Sequence, residues 1–389
     1  MKKVLFVTYD FPYPTNSGGK NRAYHMLKFS GPEFKKYLFS FVRPDFKKEY
    51  IKEMNKAGVE VLDVVPRRKT ADLRNMIGLL SSKSIFKTLY YSDSVLAKLI
   101  SAIGNYEIDI VHFESFYTAF YICDAIRDLG AKQIYGTENI EFRLYEDYAK
   151  KVPFFLKPLY DAQVERVKKE EERMYKDADV TLAVSDEEAE LIKKYARECE
   201  IIRNGVDLED FPYKKPKNIQ GKNLLFVGNF TYFPNVDAIN YFVKEVFYKL
   251  PPTINLTIIG KKAQSLPFAK DGRIEAIEFI PKIQDAYERA DLVVAPVRLG
   301  GGTNFKVLEA MASGTPVVSL AARLEGLKLE NGQHIAVVEN AEEFISTINE
   351  LLGNLSKRVK LSKGARALVE REYSWKIIGN NLANIWKNL

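Results

Sequence analysis

Short apolar runs rich in β-branched residues alternate along this chain with longer stretches whose apolar positions recur every three to four residues. The first pattern fits strands buried on both faces, and the second fits helices that cover them. In the first half the predicted strands are KVLFVT (3–8), YLFSFV (37–42), VEVLDVV (59–65), DIVHFE (109–114), KQIYGT (132–137) and VTLAVS (180–185). After Asn204-Gly205 comes a polar, Pro- and Lys-containing stretch with little periodicity, which reads as a linker over 204–222. The alternation then restarts with strands NLLFVG (223–228), INLTIIG (254–260), IEAIEFI (274–280), LVVAPV (292–297) and PVVSL (316–320), and helices over 235–250 and 283–290. SWKIIGNNLANIWKNL (374–389) closes the chain as a helix. The pattern predicts an α/β protein of two Rossmann-like, doubly wound parallel-sheet domains. The first spans 1–203 and is completed by the helix 374–389; the second spans 223–373.

Composition narrows the class. A chain of 389 residues with 46% hydrophobic content exceeds the size of a single core and can fill two. Lys+Arg 58 against Asp+Glu 51 gives +7, an excess that suits anionic substrates and is too small to imply nucleic acid. Cys123 and Cys199 are the two cysteines, which excludes a disulfide scaffold and points to a reducing cytoplasm. The opening MKKVLFVTYD has an apolar run shorter than a signal-peptide core and reads as a first strand. No stretch approaches the roughly 20 apolar residues of a membrane span. Residues 66–98 carry seven Lys/Arg against two Asp, interleaved with apolar positions. They read either as a basic amphipathic surface meeting anionic lipid or a lipid-linked acceptor at the inner face of the membrane, or as an ordinary solvated insertion.

Candidate chemistry concentrates in RLGGGTNFKVLEAMASGTPVV (298–318). Ligands of open α/β sheets bind outside the carboxyl ends of strands, and two such edges facing each other would form an interdomain cleft. Gly300, Gly301 and Gly302 would bare backbone N–H groups to a ligand, and Thr303 would cap a helix whose positive end favours phosphate. One helix end supplies only about 0.3–2 kcal/mol to an anion, so Arg298 and Lys306, with Asn304 between them, are expected to assist. Val307, Leu308 and Met311 share one helix face, which leaves Lys306 and Glu309 on another. Glu309 would accept from hydroxyls such as those of a ribose; the alternative is a solvated Lys/Glu pair. The loop 10–28 carries Gly18-Gly19 before a helix, but it matches neither GxxxxGK[ST] nor GxGxxG.

The glycine-rich stretch, together with VTLAVSDEE (180–188), IIRNGVDLEDF (201–211), VGNFTYFPNVDAINYF and a late YSW, resembles the family 4 glycosyltransferases. The resemblance is greatest to a branch with a GGGT-x-x-K-x-x-EA helix, found among exopolysaccharide sugar transferases. It implies the two-domain GT-B fold and metal-independent transfer, with retained anomeric configuration, from a nucleotide sugar held mainly by the C-terminal domain. The acceptor, a saccharide or a lipid-linked one, would be held mainly by the N-terminal domain. Two departures stand out: Gly301 occupies the place of a first glutamate, and Asn229 and Pro234 stand where many relatives carry Arg and Lys. Asn229 can still donate a hydrogen bond.

By the same resemblance, Gly18 and Gly19 would close over the donor phosphates or the acceptor, helped by Lys20 and Arg22. His112 would polarise the donor sugar or the acceptor hydroxyl, with Glu114 ending the same strand; a buried structural histidine is the alternative. Glu138, Asn139 and Glu141 in YGTENIEF resemble an HN-x-E stretch that would contact acceptor. Competing functions are a nucleotide-sugar epimerase and a non-catalytic nucleotide-sugar-binding scaffold.

Overall fold

The structure, a computed structural model, describes residues 1–67, 83–150, 152–217, 222–299, 304–321, 324 and 326–389. It divides into two compact units, Met1–Arg203 with Ile378–Leu389, and Asn204–Ile377. Residues 204–217 count with the second unit, where Val206 bridges Ser374 and the Lys214 N–H donates to the Ser313 carbonyl at 2.9 Å.

In the first unit the strands are β1 (Lys3–Thr8), β2 (Lys35–Val42), β3 (Val59–Pro66), β4 (Ile110–Glu114), β5 (Lys132–Gly136), β6 (Val180–Ala183) and β7 (Cys199–Ile201). They pair in parallel in the order β3-β2-β1-β4-β5-β6-β7. The order reverses between β1 and β4, which aligns Phe6 with His112 and Thr8 with Glu114. Strand alternation then sorts the side chains. Leu5, Val7, Val111 and Phe113 enter one apolar core, while Phe6 and His112 face the other way, toward Trp386 of the terminal helix Trp375–Asn388. That helix is held at its end by Lys2, whose ammonium donates to the carbonyls of Trp386 and Lys387 at 3.2 and 2.9 Å.

The second unit holds β8 (Lys222–Val227), β9 (Ile254–Ile259), β10 (Ile274–Ile277), β11 (Leu292–Ala295), β12 (Val317–Leu320) and β13 (Ala336–Val338), again parallel, in the order β10-β9-β8-β11-β12-β13. Its switch point lies between β8 and β11. Leu224, Phe226, Leu292 and Val294 pack on one face; Leu225, Val293 and Ala295 pack on the other, against Val307, Leu308 and Met311.

Several local predictions change. The helix expected over 235–250 is Phe233–Tyr241, continued by a wide π turn, Phe242–Val246, and a 3₁₀ turn, Phe247–Lys249. IEAIEFI pairs only over Ile274–Ile277. In the basic segment, residues 68–82, with three of its seven cations, lie outside the described residues. Arg67 lies over the rings of Tyr9 and Tyr90, and Lys98 pairs with Asp63 at 2.9 Å. Among the described residues no helix is long and apolar enough to cross a membrane.

Candidate functional site

Of the expected donor-binding residues, the described ones near the second unit's switch point are Asn229, Arg298, Asn304, Lys306 and Glu309. After β8 the chain turns through Gly228 and Asn229, and it passes Gly260 so closely that a Cβ there would strike the Gly228 carbonyl. Gly260 also has φ of +143°, so glycine is required on both counts. Asn229 Oδ1 accepts from the N–H and the hydroxyl of Thr231, at 3.0 and 2.8 Å. The side-chain carbonyl thus shapes its own turn, and the carboxamide nitrogen is the group chemically able to donate outward.

Across the switch point, β11 leads to the helix Phe305–Ser313. Gly300, Gly301, Gly302 and Thr303 lie outside the described residues. The helix N-cap is Asn304, not the expected Thr303: the Asn304 carbonyl accepts from Val307 N–H at 2.9 Å, and its side chain makes no capping bond. Packing Val307, Leu308 and Met311 into the core turns Lys306 and Glu309 toward the surface, where both are half-buried. Lys306 Nζ donates to Asn235 Oδ1 at 3.0 Å and lies 4.5 Å from the Phe226 ring. Glu309 Oε2 accepts from the hydroxyl of buried Tyr287 at 2.6 Å. Withdrawal from water dominates both ionisations: it pushes Lys306 down to about 8, against the attraction of Glu309, and Glu309 up to about 7, against the Tyr287 hydrogen bond and Lys306. An ammonium with three donors and a carboxylate with two oxygens each spend one bond on a named neighbour, which leaves capacity for a ligand.

Arg298 departs from expectation. Its Nη2 and Nε donate to Asp237 at 2.8 and 3.2 Å, and its guanidinium stacks 4.4 Å above the Tyr241 ring. Asp237 and Tyr241 lie on the helix Phe233–Tyr241, where with Arg298, Lys244 and Glu245 they border a groove of about 430 Å³. Arg298 is therefore paired with a carboxylate.

The first unit corrects more of the expected roles. Arg22, His112 and Glu114 are 1%, 0% and 1% exposed and form one buried chain. Arg22 Nε donates to Glu114 Oε1 at 2.7 Å, and its Nη1 donates to the carbonyls of Ile202 and Arg203 at 2.9 and 3.2 Å. His112 Nε2 meets Glu114 Oε2 at 2.9 Å, and the imidazole is packed 4.2 Å from the Phe6 ring. Burial lowers the His112 pKa despite the hydrogen bond and charge of Glu114. Glu114 is held below the usual carboxylate range because Arg22 and His112 outweigh its burial. The structure places these residues in the core, bonded to one another. The cause is β4's central place in the sheet: the terminal helix covers the face that carries His112, and Gly136 on β5 closes over the pair, since any Cβ there would strike Glu114.

Gly18 and Gly19 open the helix Gly18–Phe29, and a Cβ on Gly19 would collide with Glu138. Lys20 lies 3.8 Å from Asp10, itself paired with Arg43 at 2.7 Å. Glu138 and Asn139 are half-buried, and Glu138 Oε1 and Asn139 Oδ1 have no hydrogen-bond partner among the described residues. Burial, aided by Glu114, pushes Glu138 up to about 8. Glu141 is nearly buried and its pKa is also raised by burial, with neighbouring Glu171 adding to it. The structure thus brings Gly19 and Glu138 together and leaves polar capacity at 138–139.

Sequence reasoning missed Asn235 and Tyr287. Their partners lie 71 and 22 residues away, and neither belongs to a motif with a fixed spacing. The one signal for Tyr287 was its place in the periodic helix IQDAYERA, now Ile283–Arg289.

Comparison with known proteins agrees with this architecture. Residues 221–354 match the family described as Glycosyl transferases group 1, and residues 48–210 match Glycosyltransferase Family 4. An uncharacterised 44.6 kDa protein in the cps region of Klebsiella pneumoniae is 22% identical over 98% of this chain and 99% of its own. A phosphatidyl-myo-inositol mannosyltransferase of Mycobacterium leprae is 26% identical over 43% of this chain and 47% of its own. Among solved structures, Anabaena HepE in complex with UDP and glucose covers 100% of both chains with a TM-score of 0.70 at 14% identity, a likeness of fold. Two parallel sheets with matching switch points, and glycosyltransferase families matched in both halves, place this chain among the glycosyltransferases of the GT-B fold.

Proposed function

We propose that this glycosyltransferase moves a sugar, with retained anomeric configuration, from a nucleotide-sugar donor bound by the second unit to a saccharide or lipid-linked acceptor recognised by the first, in polysaccharide or glycoconjugate synthesis. The observation that carries the reading is the half-buried Lys306, linked through Asn235 to the turn at Gly228-Asn229, with half-buried Glu309 on the same helix, at the switch point where doubly wound sheets bind ligands. Lys306 takes the donor diphosphate and Glu309 the ribose hydroxyls. As the glycosidic bond breaks, charge grows on the departing phosphate, and an ammonium already held in place stabilises it without reorganising. The protein's contribution is electrostatic and positional, and the leaving phosphate accepts the acceptor's proton. With the ammonium in that role, transfer proceeds without a metal ion.

The relative from a cps region and the UDP and glucose bound to Anabaena HepE support this choice of substrates. The test incubates the protein with UDP-, GDP-, ADP- and CMP-sugars and isolated lipid-linked acceptors, with EDTA present, and follows nucleotide release and the configuration of the product. Acceptor-dependent release with retention is expected. Altered sugar without acceptor would make the protein an epimerase, and binding without turnover would make it a scaffold.

A further inference from the structure

Asn235 joins the two sides of the second unit's switch point. Its Oδ1 accepts from Lys306, on the helix after β11, and its Nδ2 donates to the Asn229 carbonyl, in the turn after β8, each at 3.0 Å. Its own N–H donates to the Tyr232 carbonyl at 3.1 Å, which fixes it in the first turn of the helix Phe233–Tyr241. Gly228 lies directly against it: a Cβ there would come within 3.0 Å of Asn235 Cγ.

The chemistry of the partners fixes the orientation of the carboxamide. An ammonium only donates and a backbone carbonyl only accepts, so the oxygen faces Lys306 and the nitrogen faces Asn229. An aspartate would set one acceptor against the Asn229 carbonyl and neutralise the ammonium. A leucine would keep the shape and lose both bonds. A neutral amide orients the cation and leaves its charge for a ligand.

We propose that Asn235 is a positioning residue for the donor: it ties Lys306 to the Gly228-Asn229 turn, so that the ammonium and the turn meet a diphosphate as one prearranged set. The inference rests on the reading of Lys306 as the diphosphate ligand. Prearrangement matters because a free lysine loses rotamer entropy when a ligand fixes it, whereas one already held loses less.

The test is a double-mutant cycle read by titrating UDP, GDP and ADP into Asn235→Leu, Asn235→Asp, Lys306→Ala and Asn235→Leu/Lys306→Ala, with thermal melting of each. Loss of the tie is expected to weaken nucleoside diphosphate binding by about five- to tenfold in the parent and by less than about twofold once Lys306 is gone, because the effect passes through Lys306. Asn235→Asp, which keeps the side-chain volume, should weaken binding too and move its alkaline loss to higher pH, since a carboxylate raises the Lys306 pKa. If Asn235→Leu does not fold, Asn235→Ala and Asn235→Ala/Lys306→Ala run the same cycle. Equal weakening with and without Lys306 would make Asn235 merely structural and overturn the proposal. Parent-like binding by both Asn235 variants, with binding lost in Lys306→Ala, would overturn it while sparing the donor reading. Parent-like binding in Lys306→Ala would sink the donor reading itself, and this inference with it.

Discussion

At the first unit's switch point Arg22, Glu114 and His112 bond to one another and to backbone carbonyls beneath a sheet face that Trp386 helps to cover. At the second unit's switch point Lys306 and Glu309 each make one bond to a neutral neighbour, Asn235 or Tyr287, and stay half-buried. Both places lie where a parallel sheet reverses its order, and both hold a cation and a carboxylate. The difference is in pairing. Arg22 neutralises Glu114 directly, as a buried ion pair must; Lys306 and Glu309 are each hydrogen-bonded by an uncharged group, which leaves polar capacity for a ligand. Topology marks where a ligand can bind, and partner chemistry decides whether the residues there remain able to bind it.

The largest expected effect breaks the first region. Arg22→Met leaves the Glu114 carboxylate buried without its counter-charge and should cost about 3–5 kcal/mol of stability in urea unfolding. A loss below about 1 kcal/mol, as for an exposed pair, would show that this region is not core. The second region should respond in rate rather than in stability. Lys306→Ala should cut turnover at least about tenfold, about 1.4 kcal/mol in barrier, with a melting temperature near the parent's. Near-normal turnover would remove Lys306 from the mechanism.

The smallest effect is a pH profile. Lys306, pushed down to about 8, loses its charge as pH rises through that value; Glu309, pushed up to about 7, loses its charge as pH falls through that one. Nucleoside diphosphate binding should therefore be tightest between these values and weaken on both sides by a few-fold. The acid side should be the shallower, because a protonated carboxyl still accepts from hydroxyls. A profile flat from pH 6 to 9 would place the charges of both groups outside ligand binding.

How much of this was readable beforehand depended on the range of each interaction. The strands KVLFVT and VTLAVS announce themselves because continuous apolar runs satisfy a doubly covered sheet locally. The three-residue edge strands Cys199–Ile201 and Ala336–Val338 are too short to show a period. Lys306 and Glu309 were legible because helical spacing sets them apart from Val307, Leu308 and Met311. His112 was assigned to the reacting groups by the family resemblance and its place near the end of a strand, but the sequence near β4 says nothing of Trp386, which covers that face from the far end of the chain. Arg298 was assigned to phosphate by proximity to the glycines, and a turn of helix brought Asp237 to it instead.

By itself, then, the sequence determined the alternation of strands and helices, its restart after residue 204, and the faces of the helix that carries Lys306, because these depend on neighbours within a few residues. Tertiary structure decided which charges are neutralised: Arg22 by Glu114 across 92 residues, Arg298 by Asp237 across 61, and Lys306 held by an uncharged amide across 71. The physical reason is that burial and pairing fix the state of an ionisable group, and both are supplied by residues distant in the chain.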